Sequence, residues 1–233
     1  MTAQTTTQSV PQNQPKAANS FHMIRALGGV GILCSLLIVS VFQFTKPIIE
    51  KKKAIALERA IYKVVPGASA QLTFEIKDAG TFTKVEGKSI NPNRVFAALD
   101  DQGNLKGFAI EAAGNGFQDV IKLIYGYSHE TQTIIGIQVL ESKETPGLGD
   151  KIEKDEHFLA NFVALDVQLN DQDQVANPIE LVKPGKKTDA WQIDSITGAT
   201  ISSSAVSRIL KQSSETWMPR IQGQLQQIEE QLK

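Results

Sequence analysis

Apolar and polar positions alternate with different periods along this chain, and each period predicts a different element. From Ala26 to Phe44 the sequence reads ALGGVGILCSLLIVSVFQF, 19 residues without a charge, bracketed by Arg25 and Lys46. A helix of that length spans roughly 28 Å at about 1.5 Å per residue, close to the hydrocarbon thickness of a bilayer. The run is longer than the apolar core of a secretory signal, about 7–15 residues, and no small-residue cleavage site follows. It predicts an uncleaved transmembrane helix over 23–45. Gly28, Gly29 and Gly31 either let a second helix approach closely or face lipid.

Helical spacing continues beyond the span. Ile48, Ile49, Ile55, Leu57, Ile61 and Val65 stand among charged residues and predict a connecting helix over 46–66, stopped by Pro66-Gly67. Period two then takes over. QLTFEI (71–76) and TFTKV (81–85) predict strands, and residues 94–113 predict a hairpin turning at Asp100–Asn104. Residues 119–142 predict a second hairpin turning near His129–Thr131, 155–165 a helix, and 190–196 a strand. Val206, Ile209 and Leu210 give 201–217 helical spacing; Pro219 is expected to interrupt it, with a polar helix over 218–233. Antiparallel hairpins with helices at their edges predict an α+β fold: one N-terminal transmembrane helix, then a mixed or antiparallel-sheet domain over 67–217 with flanking helices.

Composition refines this reading. Residues 1–20 are polar, rich in Thr and Gln, and lack aromatics, which predicts a disordered tail over 1–22. With 24 basic and 25 acidic residues, nothing points to nucleic acid. The single cysteine, Cys34, excludes an internal disulfide and a zinc or iron–sulfur site built from this chain's cysteines alone. His22, His129 and His157 form no metal-binding pair, and there is no GxSxG elbow. Lys46, Lys51, Lys52, Lys53 and Arg59 outnumber Lys16 and Arg25 across the span, which by count puts the C-terminal side in the cytoplasm. Long domains translocate largely regardless of nearby charge, so the charge pattern leaves the orientation open.

Two short motifs carry candidate chemistry. The first is ETPGLGD, Glu144 to Asp150. Pro146 fixes one backbone angle while Gly147 and Gly149 free two others, so the loop is either an ordinary turn or a surface on which Leu148 meets a flat ligand. The second is DSITGATISSSAV, Asp194 to Val206. Gly198 permits a sharp turn, and Thr200 falls at the N-cap of the following helix. It is either a plain cap or an attachment point: a phosphate esterified there would be stabilised by the free N–H groups and the dipole, with Ser202 and Ser203 as further donors.

The D-x-x-T-G-A-T pattern at Asp194, Thr197, Gly198, Ala199 and Thr200 resembles the flavinylation signature of membrane redox proteins with an FMN-binding domain. ETPGLGDKI resembles a second signature of that domain. With its one span and its length, the chain is similar to the G subunits of ion-translocating Rnf electron transport complexes, over roughly residues 24–217.

The resemblance implies a covalent FMN joined through its phosphate to Thr200, installed by a flavin transferase that uses FAD and Mg²⁺ and reads Asp194. It implies a flavin lined by Glu144, Thr145, Pro146, Gly147, Leu148 and Gly149, with Thr197, Gly198, Ala199 and Ser202 around the attachment point. It further implies a periplasmic flavin domain on a single-pass bacterial inner-membrane protein, a redox subunit with no complete activity alone, and the A, B, C, D and E subunits of a ferredoxin:NAD oxidoreductase as partners, besides membrane lipid. The C subunit of the sodium-pumping NADH:quinone oxidoreductase shares the domain and is the near alternative. A flavin sensor and a cofactor-free scaffold are the others.

Overall fold

The computed structural model describes residues 20–76, 81–85, 91 and 93–232. The predicted tail therefore lies outside the described residues except for its last three positions, which are helical. The chain divides into two compact units, Met1–Lys52 and Lys53–Lys233.

Helix α1 runs unbroken from Ser20 to Val64 and includes Pro47. In the first unit it is long and apolar enough to cross a membrane, and its large side chains, Leu27, Ile32 and Phe44 among them, are exposed. Two of its hydroxyls bond within the helix: Ser35 Oγ donates to Gly31 O and Thr45 Oγ1 to Val41 O, each at 2.8 Å. Such back-bonding satisfies these two donors without water.

The second unit is built on seven antiparallel strands: β1 (Ala70–Ile76), β2 (Phe82–Val85), β3 (Arg94–Leu99), β4 (Leu105–Asn115), β5 (Val120–Ser128), β6 (Thr133–Glu141) and β7 (Leu165–Asp166). Their order is β2-β1-β3-β4-β5-β6-β7. The two predicted hairpins are β3–β4 and β5–β6. Period-two alternation sorts their side chains onto two buried faces. Phe108 and Ile110 point one way and Ala109 the other; Leu123, Tyr125 and Tyr127 oppose Ile124. The face with Ala109 and Ile124 is covered by Ala60, Ile61 and Val64 from the last turns of α1. The opposite face is covered by α3 (Thr200–Gly223), which buries Val206, Ile209, Leu210, Met218 and Ile221.

Between β6 and α3 lie a 3-10 turn (Gly149–Glu153), the short α2 (Glu156–Ala160), and a parallel pair, β8 (Glu180–Val182) and β9 (Gln192–Asp194). The sequence indicates β9, inside the predicted strand over 190–196, and misses β8. The predicted helix over 155–165 shrinks to the five residues of α2.

Pro219 does not interrupt its helix: α3 continues to Gly223. Trp217, Met218 and Ile221, on either side of the proline, are buried in the core, and that packing outweighs the missing hydrogen bond. The break falls at Gln224, after which α4 (Leu225–Leu232) turns along the sheet edge. There Gln231 accepts from Lys84 N at 3.1 Å and donates to Phe82 O at 3.0 Å, closing the hydrogen-bonding edge of β2.

Candidate functional site

Strand β9 delivers the chain into the DSITGAT segment. Asp194 is held on both sides of its backbone by Asn161, whose Oδ1 accepts from Asp194 N at 3.0 Å and whose Nδ2 donates to Asp194 O at 3.3 Å. The Asp194 carboxyl accepts from the backbone N–H groups of Lys186 and Lys187, at 2.9 and 3.1 Å, so it organises the turn that follows β8. Burial pushes the Lys187 ammonium down from its usual range, against the pull of Asp194.

The turn into α3 is made at Gly198, whose φ of 80° is in the left-handed region that favours glycine. Thr200 is the first helical residue, and the N-cap is Ala199 rather than Thr200. Gly198 completes the turn one residue early, so the cap position falls to a side chain with no acceptor. The first turn of a 24-residue helix therefore has no side-chain cap. Ser203 fixes the loop from inside: fully buried, its hydroxyl accepts from Ile196 N at 3.1 Å and donates to Ala199 O at 2.9 Å. Thr197, Gly198 and Thr200 face solvent, while Ala199 is buried.

The ETPGLG loop splits into an outward and an inward part. Pro146, Gly147 and Leu148 are exposed, Thr145 is half-buried, and Glu144 and Gly149 are buried. Gly147 has a φ of 78° and donates its N–H to Asp150 Oδ1 at 2.7 Å. Lys154 bonds the same carboxyl and holds it below the usual carboxylate range. Leu148 is thereby presented at the tip, 51 % exposed.

Glu144 brings the two motifs together. Its Oε1 accepts from Phe117 N at 2.8 Å and Gln118 N at 3.2 Å, and its Oε2 accepts from the Ser202 hydroxyl. Ser202, read from the sequence as a donor to a phosphate, is 3 % exposed and gives its hydroxyl to Glu144 instead. Gln118 also reaches the loop, donating to Thr145 Oγ1 at 2.9 Å.

Three segments thus meet here, and each carries an apolar side chain that the core has not taken: Phe117 (62 % exposed), Leu148 and Ile201 (59 %). Sequence reasoning missed Phe117, Gln118 and Asn161, and it read Ser203 as a phosphate donor, whereas its hydroxyl is taken by Ile196 N and Ala199 O. The only signal for the first two was the Asn115-Gly116 turn after β4, which has the chemistry of any hairpin. Tyr125 and Trp217 are buried in the core, and Trp191 lines a shallow groove with Ile179, Arg208 and Lys211. Among the described residues, no cluster of His, Cys, Asp and Glu is arranged to hold a metal ion.

An exposed hydroxyl at an uncapped helix start suits a phosphate ester, and the exposed apolar side chains nearby suit a flat ring. Fold and site together define a flavin-binding α+β domain carried on an N-terminal apolar helix. Residues 116–215 match the FMN-binding domain family. The G subunit of the ion-translocating oxidoreductase complex of Shewanella piezotolerans is 30 % identical over 192 residues, covering 79 % of this chain and 83 % of that protein. Its counterpart in Haemophilus influenzae is 27 % identical over 208 residues, covering 89 % of this chain and 94 % of that protein. The chain belongs to the family of G subunits of ion-translocating oxidoreductase complexes. The crystal structure of Shewanella oneidensis NqrC shares the fold, with a TM-score of 0.59 at 22 % identity over 77 % of this chain and 99 % of that one.

Proposed function

We propose that this chain is the FMN-carrying electron-transfer subunit of a membrane-bound ferredoxin:NAD oxidoreductase of the Rnf type, with the flavin joined through its phosphate to Thr200. Family membership and the FMN-binding domain match support the flavin and the complex. The observation that carries the linkage is the exposed Thr200 at the uncapped start of α3. Three things coincide there: a nucleophile within reach of an external enzyme, unpaired helix N–H groups, and a dipole favouring negative charge.

The residues divide the work. Thr200 carries the phosphate. Thr197, Gly198 and Ala199 shape the turn that exposes it, and Ser202 ties that turn down. Thr145, Pro146, Gly147, Leu148 and Gly149 form the facing loop, with Leu148 and Phe117 offering apolar surface to a ring; Glu144 stands behind them. Asp194 belongs to the sequence that the flavin transferase reads. When bound, FMN accepts one or two electrons and so mediates between one- and two-electron carriers. Ester linkage leaves the ring's redox positions free and keeps the flavin from being lost.

The apolar helix anchors the chain in the bacterial inner membrane with the flavin domain periplasmic, among the A, B, C, D and E subunits. With no charged residue between Ala26 and Phe44, the span is a poor candidate for an ion path. Ion movement belongs to the complex, and this chain has no complete activity alone.

The test is co-production with a flavin transferase. Denatured wild-type chain should fluoresce on a gel under ultraviolet light, and its Thr188–Arg208 tryptic peptide should carry FMN. Thr200→Ala should be dark. A fluorescent Thr200→Ala band moves the attachment elsewhere; an unmodified wild-type peptide ends the proposal.

A further inference from the structure

We infer that Glu144 is a positioning residue for flavin attachment: its buried carboxyl clamps the first turn of α3, and with it Thr200, to the turn between β4 and β5. The inference rests on the reading of Thr200 as the attachment point. Glu144 opens a motif whose tip faces outward, yet it is only 6 % exposed and every bond it makes points inward. Its two oxygens take three donors from two distant segments, Phe117 N and Gln118 N on one side and the Ser202 hydroxyl on the other. It forms no ion pair among the described residues. Hydrogen bonds alone compensate its burial, which makes their geometry exacting.

Two glycines are shaped around this carboxyl. A Cβ at Gly149 would lie 2.7 Å from Glu144 Oε2 and 2.8 Å from Ser202 Oγ, and one at Gly116 would run into Glu144 Oε1. Gly149 has a second constraint from its own chain, because the 3-10 turn starting there packs against α3. The motif therefore has two functions. Pro146-Gly147-Leu148 forms the outer surface, while Glu144 and Gly149 close the loop onto the helix start. Ser202 is two residues from Thr200, so a bond to its side chain fixes the helical turn that carries the Thr200 hydroxyl.

Attachment is a phosphoryl transfer. Thr200 Oγ1 bonds to the phosphorus of FAD nearest the riboflavin. The phosphoanhydride bond breaks, AMP leaves with the electron pair, and the hydroxyl proton passes to the transferase's base. Such a step depends on how well the nucleophile is held, and a misplacement of about 1 Å can cost on the order of a hundredfold. Thr200 is on the surface and its own side chain is not held by any described neighbour's hydrogen bond, so its position is set by the backbone beneath it. Glu144 and Ser203 set that backbone, Glu144 from outside the helix.

The experiment measures the initial rate of flavin attachment to full-length chain in detergent, with purified transferase, FAD and Mg²⁺, and the fluorescence anisotropy of the attached flavin. Glu144→Ala should slow attachment roughly tenfold or more and lower the anisotropy. Ser202→Ala, which removes one bond and leaves the fold intact, should do both to a smaller degree. Glu144→Gln should restore both, because its amide oxygen still accepts from Phe117 and Gln118 and its amide nitrogen can donate to the Ser202 oxygen. Wild-type rate and anisotropy in Glu144→Ala and Ser202→Ala overturn the inference while Thr200 remains the attachment point. An unmodified wild-type chain overturns the Thr200 reading itself. If Glu144→Ala fails to fold, a Ser202→Ala chain that behaves as wild type overturns the clamp by itself.

Discussion

Gly126 of β5 faces the carbonyl oxygen of Val64, in the last turn of α1, so closely that a Cβ there would overlap it. Gly136, beside it on β6, is nearly as tight: its Cβ would lie 3.2 Å from the same oxygen. The two glycines form a flat spot where the helix end is seated directly on the sheet.

Gly126→Ala should therefore be costly although it adds one methyl group. The neighbour is backbone and cannot swing aside, so the helix end must lift, at about 1–3 kcal/mol or more. Gly136→Ala should cost less, because a shift of a few tenths of an ångström relieves it. Denaturant unfolding of the purified chain in detergent, followed by tryptophan fluorescence, checks the order of the two. Equal stability of Gly126→Ala and wild type would contradict the seating.

Asp194 separates two roles that a motif merges. Asp194→Ala removes the acceptor of the Lys186 and Lys187 N–H groups, and should cost about 1–3 kcal/mol as well as slow flavin attachment. In Asp194→Asn the amide oxygen still accepts both bonds, so the turn and the stability should survive. If the transferase reads the carboxylate, attachment to Asp194→Asn should remain slow at wild-type stability. Attachment at the wild-type rate would mean that Asp194 acts only by shaping the turn.

The core tyrosines predict an alkaline limit to stability. Burial pushes the Tyr127 phenol up to about 12, against the bond it accepts from Gln222 at 3.0 Å. Burial raises Tyr125 further, with its hydroxyl 2.8 Å from that of Ser213. In the unfolded chain a phenol loses its proton near pH 10, whereas folded Tyr127 keeps it to about pH 12, so in that window the unfolded state binds fewer protons. The contribution is complete below about pH 10 and declines as pH rises towards 12, by about 2–3 kcal/mol for Tyr127. Melting temperatures followed from neutral to alkaline pH should fall in that range, and less steeply in Tyr127→Phe. Parallel curves would show that this phenol is not the cause.

Much of this protein was legible in its sequence, for reasons that differ by element. The uncharged run from Ala26 to Phe44 dictates a helix that can cross a membrane, because length and polarity alone decide that question. Short runs rich in apolar, β-branched and aromatic residues indicate β3 through β6, and the turn residues between them fix the hairpins. The two motifs pointed to the candidate site, since Gly198 and Thr200 in DSITGAT and the glycines of ETPGLGD are read directly from the chain.

Other features were set by contacts between distant residues. Pro219 breaks a helix by local rules, yet α3 runs through it because Trp217, Met218 and Ile221 pack in the core. Strand β8 exists only because β9 pairs with it. Nothing near Glu144 in the chain says that it faces inward to Phe117 and Ser202, or that Phe117 joins the site. Backbone preferences and side-chain periods act over a few residues, so the sequence determined elements and motifs. The partners of a buried carboxyl are chosen by packing between segments 26 to 58 residues apart, and only the tertiary structure decided those.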